Sequence, residues 1–258
     1  MSQRLSSTGV TFSYGPNAAL RGVSVGLSDG EFVAIIGPNG SGKTTLIRAL
    51  LGHVHARGDI TWDDKPLRAW SRRSLARTIA YLPQSPSAEP DATVAQVLRL
   101  GRVPYWSGFG IESGRDTEVV DQVAHRLALE EILTRRMDEL SGGQRQRVFI
   151  GRCLTQEPRA MLLDEPSTFL DLRHQVELAE LLRTLARSGI AILMASHDLN
   201  LAAMFTDRMI LLNEGAIEAQ GAAASVLDPK LLSRVYGTAL RRVEPAGSSP
   251  IVAPDLAQ

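Results

Sequence analysis

Glu31-Phe-Val-Ala-Ile-Ile-Gly37-Pro38-Asn39-Gly40-Ser41-Gly42-Lys43-Thr44-Thr45 is the stretch on which the fold turns. Its first part, Glu31–Ile36, is a continuous apolar run of the kind buried on both faces of a parallel sheet. The next residues, Gly37–Thr44, fit the pattern G-x-x-x-x-G-K-[ST] in its required setting, after a strand and opening a helix. That helix runs from Lys43 to Leu51 and is closed by Gly52 as a left-handed cap. Glycines let the backbone approach a ligand closely, and successive N–H groups at a helix start hold negative charge. The ligand chemistry is phosphate: Lys43 reaches the β- and γ-phosphates of a nucleotide, and Thr44 offers a hydroxyl to Mg²⁺.

On the N-terminal side, Val10, Phe12 and Tyr14, then Val23, Val25 and Leu27, alternate as half-buried antiparallel strands do. On the other side a strand at 78–82 runs into Pro83-Gln84. From about Ser85 to Glu157 the pattern is helical, with helices expected at 93–101, 117–129 and 142–156. Strands return at 160–163, 190–195, 209–212 and 216–219. Between the first two lies an amphipathic helix with Leu178, Leu182 and Leu185 on one face and Asp171 as its N-cap. Strands alternating with helices define an α/β fold. The expected architecture is a P-loop NTPase core with a mostly parallel sheet, an N-terminal antiparallel β subdomain and an inserted α-helical subdomain. One domain covers 1–238, with its core at 1–84 and 158–238 and the insertion at about 85–157. The tail, 239–258, reads as a hairpin of Leu240–Val243 and Ile251–Val252 around Ala246-Gly247-Ser248-Ser249.

The 258 residues carry 28 Lys+Arg and 28 Asp+Glu, a balance that gives no argument for a nucleic-acid surface. The single cysteine, Cys153, excludes an internal disulfide and sits among Val148, Phe149 and Ile150 as a packed apolar residue. No signal peptide is visible, and the apolar runs are about six residues long, far below the ~20 needed to span a bilayer. His53 and His55 lack a third metal ligand nearby and read as an exposed linker. His125 and His174 read as helix-surface residues without chemistry.

Two further motifs carry chemistry. Ala160–Leu163 is an apolar strand ending in Asp164-Glu165. Asp164 would hold Mg²⁺ through water beside Thr44, and Glu165 would polarise an attacking water. Ser141-Gly142-Gly143-Gln144 opens a helix and presents bare N–H groups and a hydroxyl, a second anion-binding turn. Taken alone it serves equally as a plain N-cap.

This ordered series resembles the nucleotide-binding subunit of an ATP-binding cassette (ABC) transporter over nearly the whole chain, about Leu5 to Ala253. The resemblance implies MgATP hydrolysis by a head-to-tail homodimer in which Ser141 and Gly143 of one copy cap the γ-phosphate held by the other. It implies that Tyr14 stacks on adenine, that Gln84 senses Mg²⁺ and a membrane partner, and that Asp171 lies at the dimer seam. His197, in Ser196-His197-Asp198, would contact the γ-phosphate, a position that also suits the end of a parallel strand. Glu165 and His197 are both present, as an active enzyme requires.

Three segments point to import: Gly101-Arg102-Val103-Pro104-Tyr105, Asp164–Gln175 and Ser196–Ala203 are similar to those of ATPases serving iron-chelate, haem and cobalamin importers. The ending Val226–Gly237 is similar too. The implied partners are integral-membrane permease subunits and, indirectly, a substrate-binding protein, with the chain peripheral on the cytoplasmic face of the cell membrane. A cytoplasmic helix of the permease would dock near Tyr105; the plainer reading of 102–105 is a helix ended by proline with Tyr105 packed nearby. The alternatives are an ATPase of another ABC importer class and a soluble, non-transport ABC ATPase.

Overall fold

The computed structural model describes residues 3–106, 112–244 and 249–255. In chain order these form β1 (Gln3–Tyr14), β2 (Asn17–Val23), β3 (Gly26–Ser28), β4 (Phe32–Ile36), α1 (Lys43–Leu50), β5 (Arg57–Trp62), β6 (Lys65–Pro66), α2 (Arg72–Ala76) and β7 (Ile79–Leu82). Then come α3 (Val94–Leu100), α4 (Gly114–Arg126), α5 (Gly142–Thr155), β8 (Ala160–Asp164), α6 (Leu172–Arg187), β9 (Ala191–Ala195) and α7 (Leu199–Phe205). The chain ends with β10 (Arg208–Asn213), β11 (Ala216–Gly221), α8 (Ala223–Val226), α9 (Pro229–Tyr236), β12 (Leu240–Val243) and β13 (Ile251–Pro254). Two compact units result, 1–69 with 179–258, and 70–178.

In the first unit β4 is buried at every position and pairs in parallel with β9 on one side and β10 on the other. An apolar run with no polar alternation is what such a central strand needs. β11 closes the β10 edge antiparallel. A separate antiparallel sheet runs β2-β1-β5-β6, with β3 also on β1. The expected run Val23–Leu27 is broken between β2 and β3. There Ser7 N still donates to Val25 O at 2.8 Å, and the Ser7 hydroxyl supplements it, donating to Val25 O and accepting from Val25 N, both at 3.1 Å.

Fully buried Trp62 of β5 donates its indole N–H to Leu50 O, 2.9 Å away, one of the carbonyls that the end of α1 leaves unpaired. Gly52, at φ +69°, ends that helix as the sequence predicts, with Gly52 N on Ala49 O and His53 N on Arg48 O. The C-terminal elements pack on β4 and β10: Val226, Leu227, Leu232 and Val252 share one core with Ala34, Ile36, Met209 and Leu211. The terminal hairpin forms as expected, and Asn200 of α7 grips it by exchanging two hydrogen bonds with the Val252 backbone, 2.8 and 3.1 Å. Residues 246–248 of the expected hairpin turn lie outside the described residues.

The second unit holds the parallel pair β7–β8 and the helices α2–α5. α4 occupies 114–126 where 117–129 was expected, because Ser113 and Asp116 form a capping box one turn earlier. Cys153 is buried and its thiol is pushed up to about 12 by desolvation, so it is inert packing.

The unit is organised around Arg102, only 2% exposed. Its guanidinium reaches Asp116 at 2.8 Å, Glu157 at 2.8 Å and Thr155 O at 2.6 Å, and lies 3.9 Å over the Tyr105 ring. The Tyr105 hydroxyl donates to Gln156 O at 2.9 Å. Tyr105 is packed as the plainer reading expects, but α3 already ends at Leu100 and Pro104 lies in a short 3-10 turn over 103–105, so proline is not what ends the helix. Arg102→Glu would be a folding lesion.

Asp116 is the acid-sensitive member of this cluster. Burial raises its carboxyl, but hydrogen bonds from the Ser113 backbone and from Arg102 outweigh it and leave the carboxyl below its ordinary 3.8. Its stabilisation is complete above that ordinary value and is lost as pH falls through the lowered one. Asp116→Asn should cost about 3 kcal/mol at pH 7, since it removes one partner of a buried pair. Thermal unfolding between pH 3 and 7 should then show a shallower acid fall in the variant than in the wild type.

Candidate nucleotide site

The phosphate loop sits in the first unit, between the end of β4 and the start of α1. Gly37 has φ +147°, and a Cβ there would lie 2.0 Å from Leu212 O and 2.9 Å from Ser41 Oγ. No residue but glycine fits. The loop is tied by Ser41 N to Pro38 O at 3.1 Å and by Gly215 N to Ser41 O at 2.9 Å. Lys43 Nζ curls over it, donating to Gly37 O at 2.9 Å and Pro38 O at 3.2 Å. Ser41 Oγ is buried without a hydrogen-bond partner among the described residues, an orphan that calls for a ligand or water. Beneath the loop the Tyr236 hydroxyl is pushed up to about 12 by burial, partly offset by the facing Gly37 amide.

Two other expected residues belong to the same unit. His197 is exposed just past β9, whose Ala195 pairs with Ile35 of β4. Ser196 N bonds Ile35 O at 2.9 Å, and Asp198 caps α7, so the histidine is fixed on both sides. It and Gly37 follow neighbouring parallel strands, where ligands of α/β sheets gather. Tyr14 ends β1 with its ring 49% exposed and braced edge-on by Phe12, centroids 4.8 Å apart.

The second unit carries the acidic residues. Asp164 ends β8, nearly fully buried, and Glu165 follows at φ +49°, a conformation uncommon for a non-glycine residue and frequent at functional sites. Glu165 Oε2 accepts from Gln84 Nε2 at 3.1 Å and from Thr168 Oγ1 at 3.5 Å. Phe169 is also left-handed, at φ +70°, and is 91% exposed. Asp171 caps α6: its Oδ1 accepts the His174 N–H at 2.9 Å and meets the His174 imidazole Nδ1 at 2.6 Å. Those bonds, the backbone one first, hold its carboxyl below the ordinary value. Ser141 and Gln144 form a reciprocal capping box on α5, 3.2 and 3.1 Å. The capping role therefore holds, and Ser141 and Gly142 stay exposed at the helix start.

The family model described as ABC transporter matches residues 20–168. The chain belongs to the ABC transporter family. It is 37% identical over 254 residues to the ferric enterobactin transport ATP-binding protein of Escherichia coli, covering 97% of this chain and 94% of that one. It is 39% identical over 244 residues to the hemin import ATP-binding protein of Thermobifida fusca, covering 94% and 85%. A solved structure described as a metal-chelate type ABC transporter in an inward-facing conformation matches with TM-score 0.87 and 26% identity, over 100% of this chain and 99% of that one. This chain is an ATP-binding, ATP-hydrolysing subunit of an ABC importer, built on the cassette fold. Among the described residues no helix is long and apolar enough to cross a membrane.

Three relations escaped the sequence: Gln84 on Glu165, Tyr236 under Gly37, and His174 beside Gly143. The last left one signal, since His174 stands three residues after its N-cap, where a side chain can bond the cap. The tightness of the loop gives a direct test. Gly37→Ala should lower Tm by several degrees and weaken ATP binding at least tenfold; thermal unfolding and nucleotide titration of the same sample check both.

Proposed function

We propose that this chain powers uptake of a metal chelate, an iron–siderophore, haem or cobalamin-type compound, by hydrolysing MgATP at sites shared between two copies. The observation that carries the ATP chemistry is the Gly37–Lys43 loop, too tight at Gly37 for a side chain and closed over by Lys43. The transport role draws its support from the ferric enterobactin and hemin import relatives. A second importer class is the alternative reading, because neighbouring groups share parts of the same motifs.

In this reading the N–H groups of Asn39, Gly40, Gly42, Lys43, Thr44 and Thr45 enclose the phosphates, Gly37, Pro38 and Ser41 shape the loop around them, and Tyr14 stacks on the adenine. The Thr44 hydroxyl, the Gln84 amide oxygen and the Asp164 carboxylate would hold Mg²⁺, an all-oxygen set suited to a hard cation. Bound there, Mg²⁺ would neutralise charge on the β- and γ-phosphates. Glu165 orients the attacking water and accepts its proton, and His197 holds a γ-phosphate oxygen. The Gln84–Glu165 bond supports a further step: Gln84 must release Glu165 before either takes its working position.

Ser141, Gly142, Gly143 and Gln144 then face the γ-phosphate on a second copy. Exposed Phe169 and Leu172, 91% and 71% accessible, supply apolar surface for that copy beside Asp171. Permease subunits would receive the mechanical work at the cytoplasmic face of the cell membrane, with a substrate-binding protein delivering the chelate. The domain division follows the same reading: a cassette over 1–238, its helical insertion at about 85–157, and a tail from 239.

Two measurements test this. Glu165→Gln should keep ATP binding and reduce turnover ~10²–10⁴-fold, the worth of general-base catalysis; near-normal turnover in the purified variant removes Glu165 from that role. Mixing Lys43→Ala with Ser141→Arg chains should restore hydrolysis that neither variant shows alone, because one mixed site is intact. Full activity from isolated monomers contradicts the shared site.

A further inference from the structure

The His174 ring abuts Gly143 with its Cδ2–Nε2 edge. A Cβ built on Gly143 would fall 2.3 Å from His174 Cδ2, 2.7 Å from Nε2 and 2.8 Å from Cγ. Ring and Cα are therefore in contact, and the absent side chain is what admits the ring. The opposite edge of the imidazole is pinned, because Nδ1 meets Asp171 Oδ1 at 2.6 Å while the same oxygen accepts the His174 backbone N–H at 2.9 Å. A nitrogen bonded to a carboxylate is the protonated one, so Nδ1 donates and the Nε2 edge is turned to Gly143.

The loop behind this contact is itself constrained. Glu165 and Phe169 both take left-handed backbone conformations. Thr168 N bonds Glu165 O at 3.2 Å and Leu170 N bonds Ser167 O at 3.1 Å, which folds 165–170 into two successive turns. The turns end on Asp171, the cap of α6. A continuous set of contacts thus runs from Gln84 through Glu165 and the loop to Asp171, His174 and Gly143. The charged groups around it are Arg173 and Glu177 on α6, joined at 2.9 Å, and Arg147 on α5, 3.4 Å from Glu177.

We infer that His174 is a positioning residue for hydrolysis: its ring is a spacer that sets Gly143 against the Asp171 loop, and so fixes the turn offered to the γ-phosphate on the second copy. This rests on the shared-site reading above. His174 itself touches no nucleotide; it acts through Gly143. Its effect should appear in the partner's ATP site and not in its own. Initial ATP binding, made by each chain's own phosphate loop, should be nearly unaffected, while the closed, hydrolysing arrangement suffers.

The experiment is steady-state hydrolysis of MgATP by full-length chains carrying His174→Ala or His174→Asn. The asparagine of the second variant removes the ring but keeps a donor near Asp171, so that variant guards against loss of folding. Both should lower kcat about tenfold, inside the ~10²-fold that a 1 Å misplacement can cause, with KM for ATP changed less than twofold. Each is then mixed with a large excess of Lys43→Ala chains, so that nearly every His174-variant chain sits in a heterodimer, and is compared with wild-type chains in the same excess. Since the surviving site pairs the His174 variant's phosphate loop with an intact Gly143 turn, the mixture should match that control. Ser141→Arg with Lys43→Ala serves as the parallel check on the shared site. If Ser141→Arg complements but the His174 variants stay about tenfold slow in the mixture, His174 acts on its own site and the inference is overturned while the shared site stands. A failure of Ser141→Arg to complement overturns the shared site and the inference together, whereas an unchanged kcat in both His174 homodimers overturns the inference alone.

Discussion

The Leu212 carbonyl sits where any side chain on Gly37 would have to go, and the first unit is arranged around that closeness. For a backbone turn to hold phosphate, its N–H groups must converge without Cβ atoms between them. The convergence is held from outside the loop. β10 supplies the Leu212 wall, the Gly215 amide ties Ser41, and the C-terminal helix brings Tyr236 beneath Gly37. Trp62 fixes the far end of α1 through Leu50 O. The loop is thereby shaped before a ligand arrives, and little ordering entropy is left to be lost on binding.

The second unit applies the same logic to the acidic residues. A buried, doubly paired Arg102 ties α3, α4 and the end of α5 into one body. Such a cluster adds little net stability over apolar packing, yet losing one member is expensive. It fixes geometry. The strained Glu165 and the capped Asp171 project from that body on a short loop, and α5 presents its N-terminal turn beside them.

Much of this was legible in the residues. The strand–loop–helix from Glu31 to Leu51 announces itself because three constraints coincide: a buried apolar run, glycines at fixed spacing, and a lysine at the helix start. Gly52 and the capping residues Ser141 and Asp171 could be read because capping is local chemistry. Long-range relations left weaker traces. Arg102 stands in the sequence only as part of the 101–105 segment, and nothing nearby announces the two carboxylates that α4 and the end of α5 bring to it from 14 and 55 residues away. His174 reads as a helix-surface residue because nothing in its neighbourhood along the chain points to Gly143. β5, α2 and α7–α9 are short or mixed in pattern, and tertiary packing, not periodicity, makes them regular.

The central claim is that the Gly37–Thr45 loop is a preformed nucleotide cradle closed by Lys43. Calorimetric titration of MgATP into the full-length chain tests it most directly, beside the same titration into Lys43→Ala. The account predicts one ATP bound per wild-type chain and binding weakened at least tenfold in the variant, whose thermal stability should stay close to wild type. Wild-type affinity in Lys43→Ala, or no ATP binding by the wild-type chain, would contradict it.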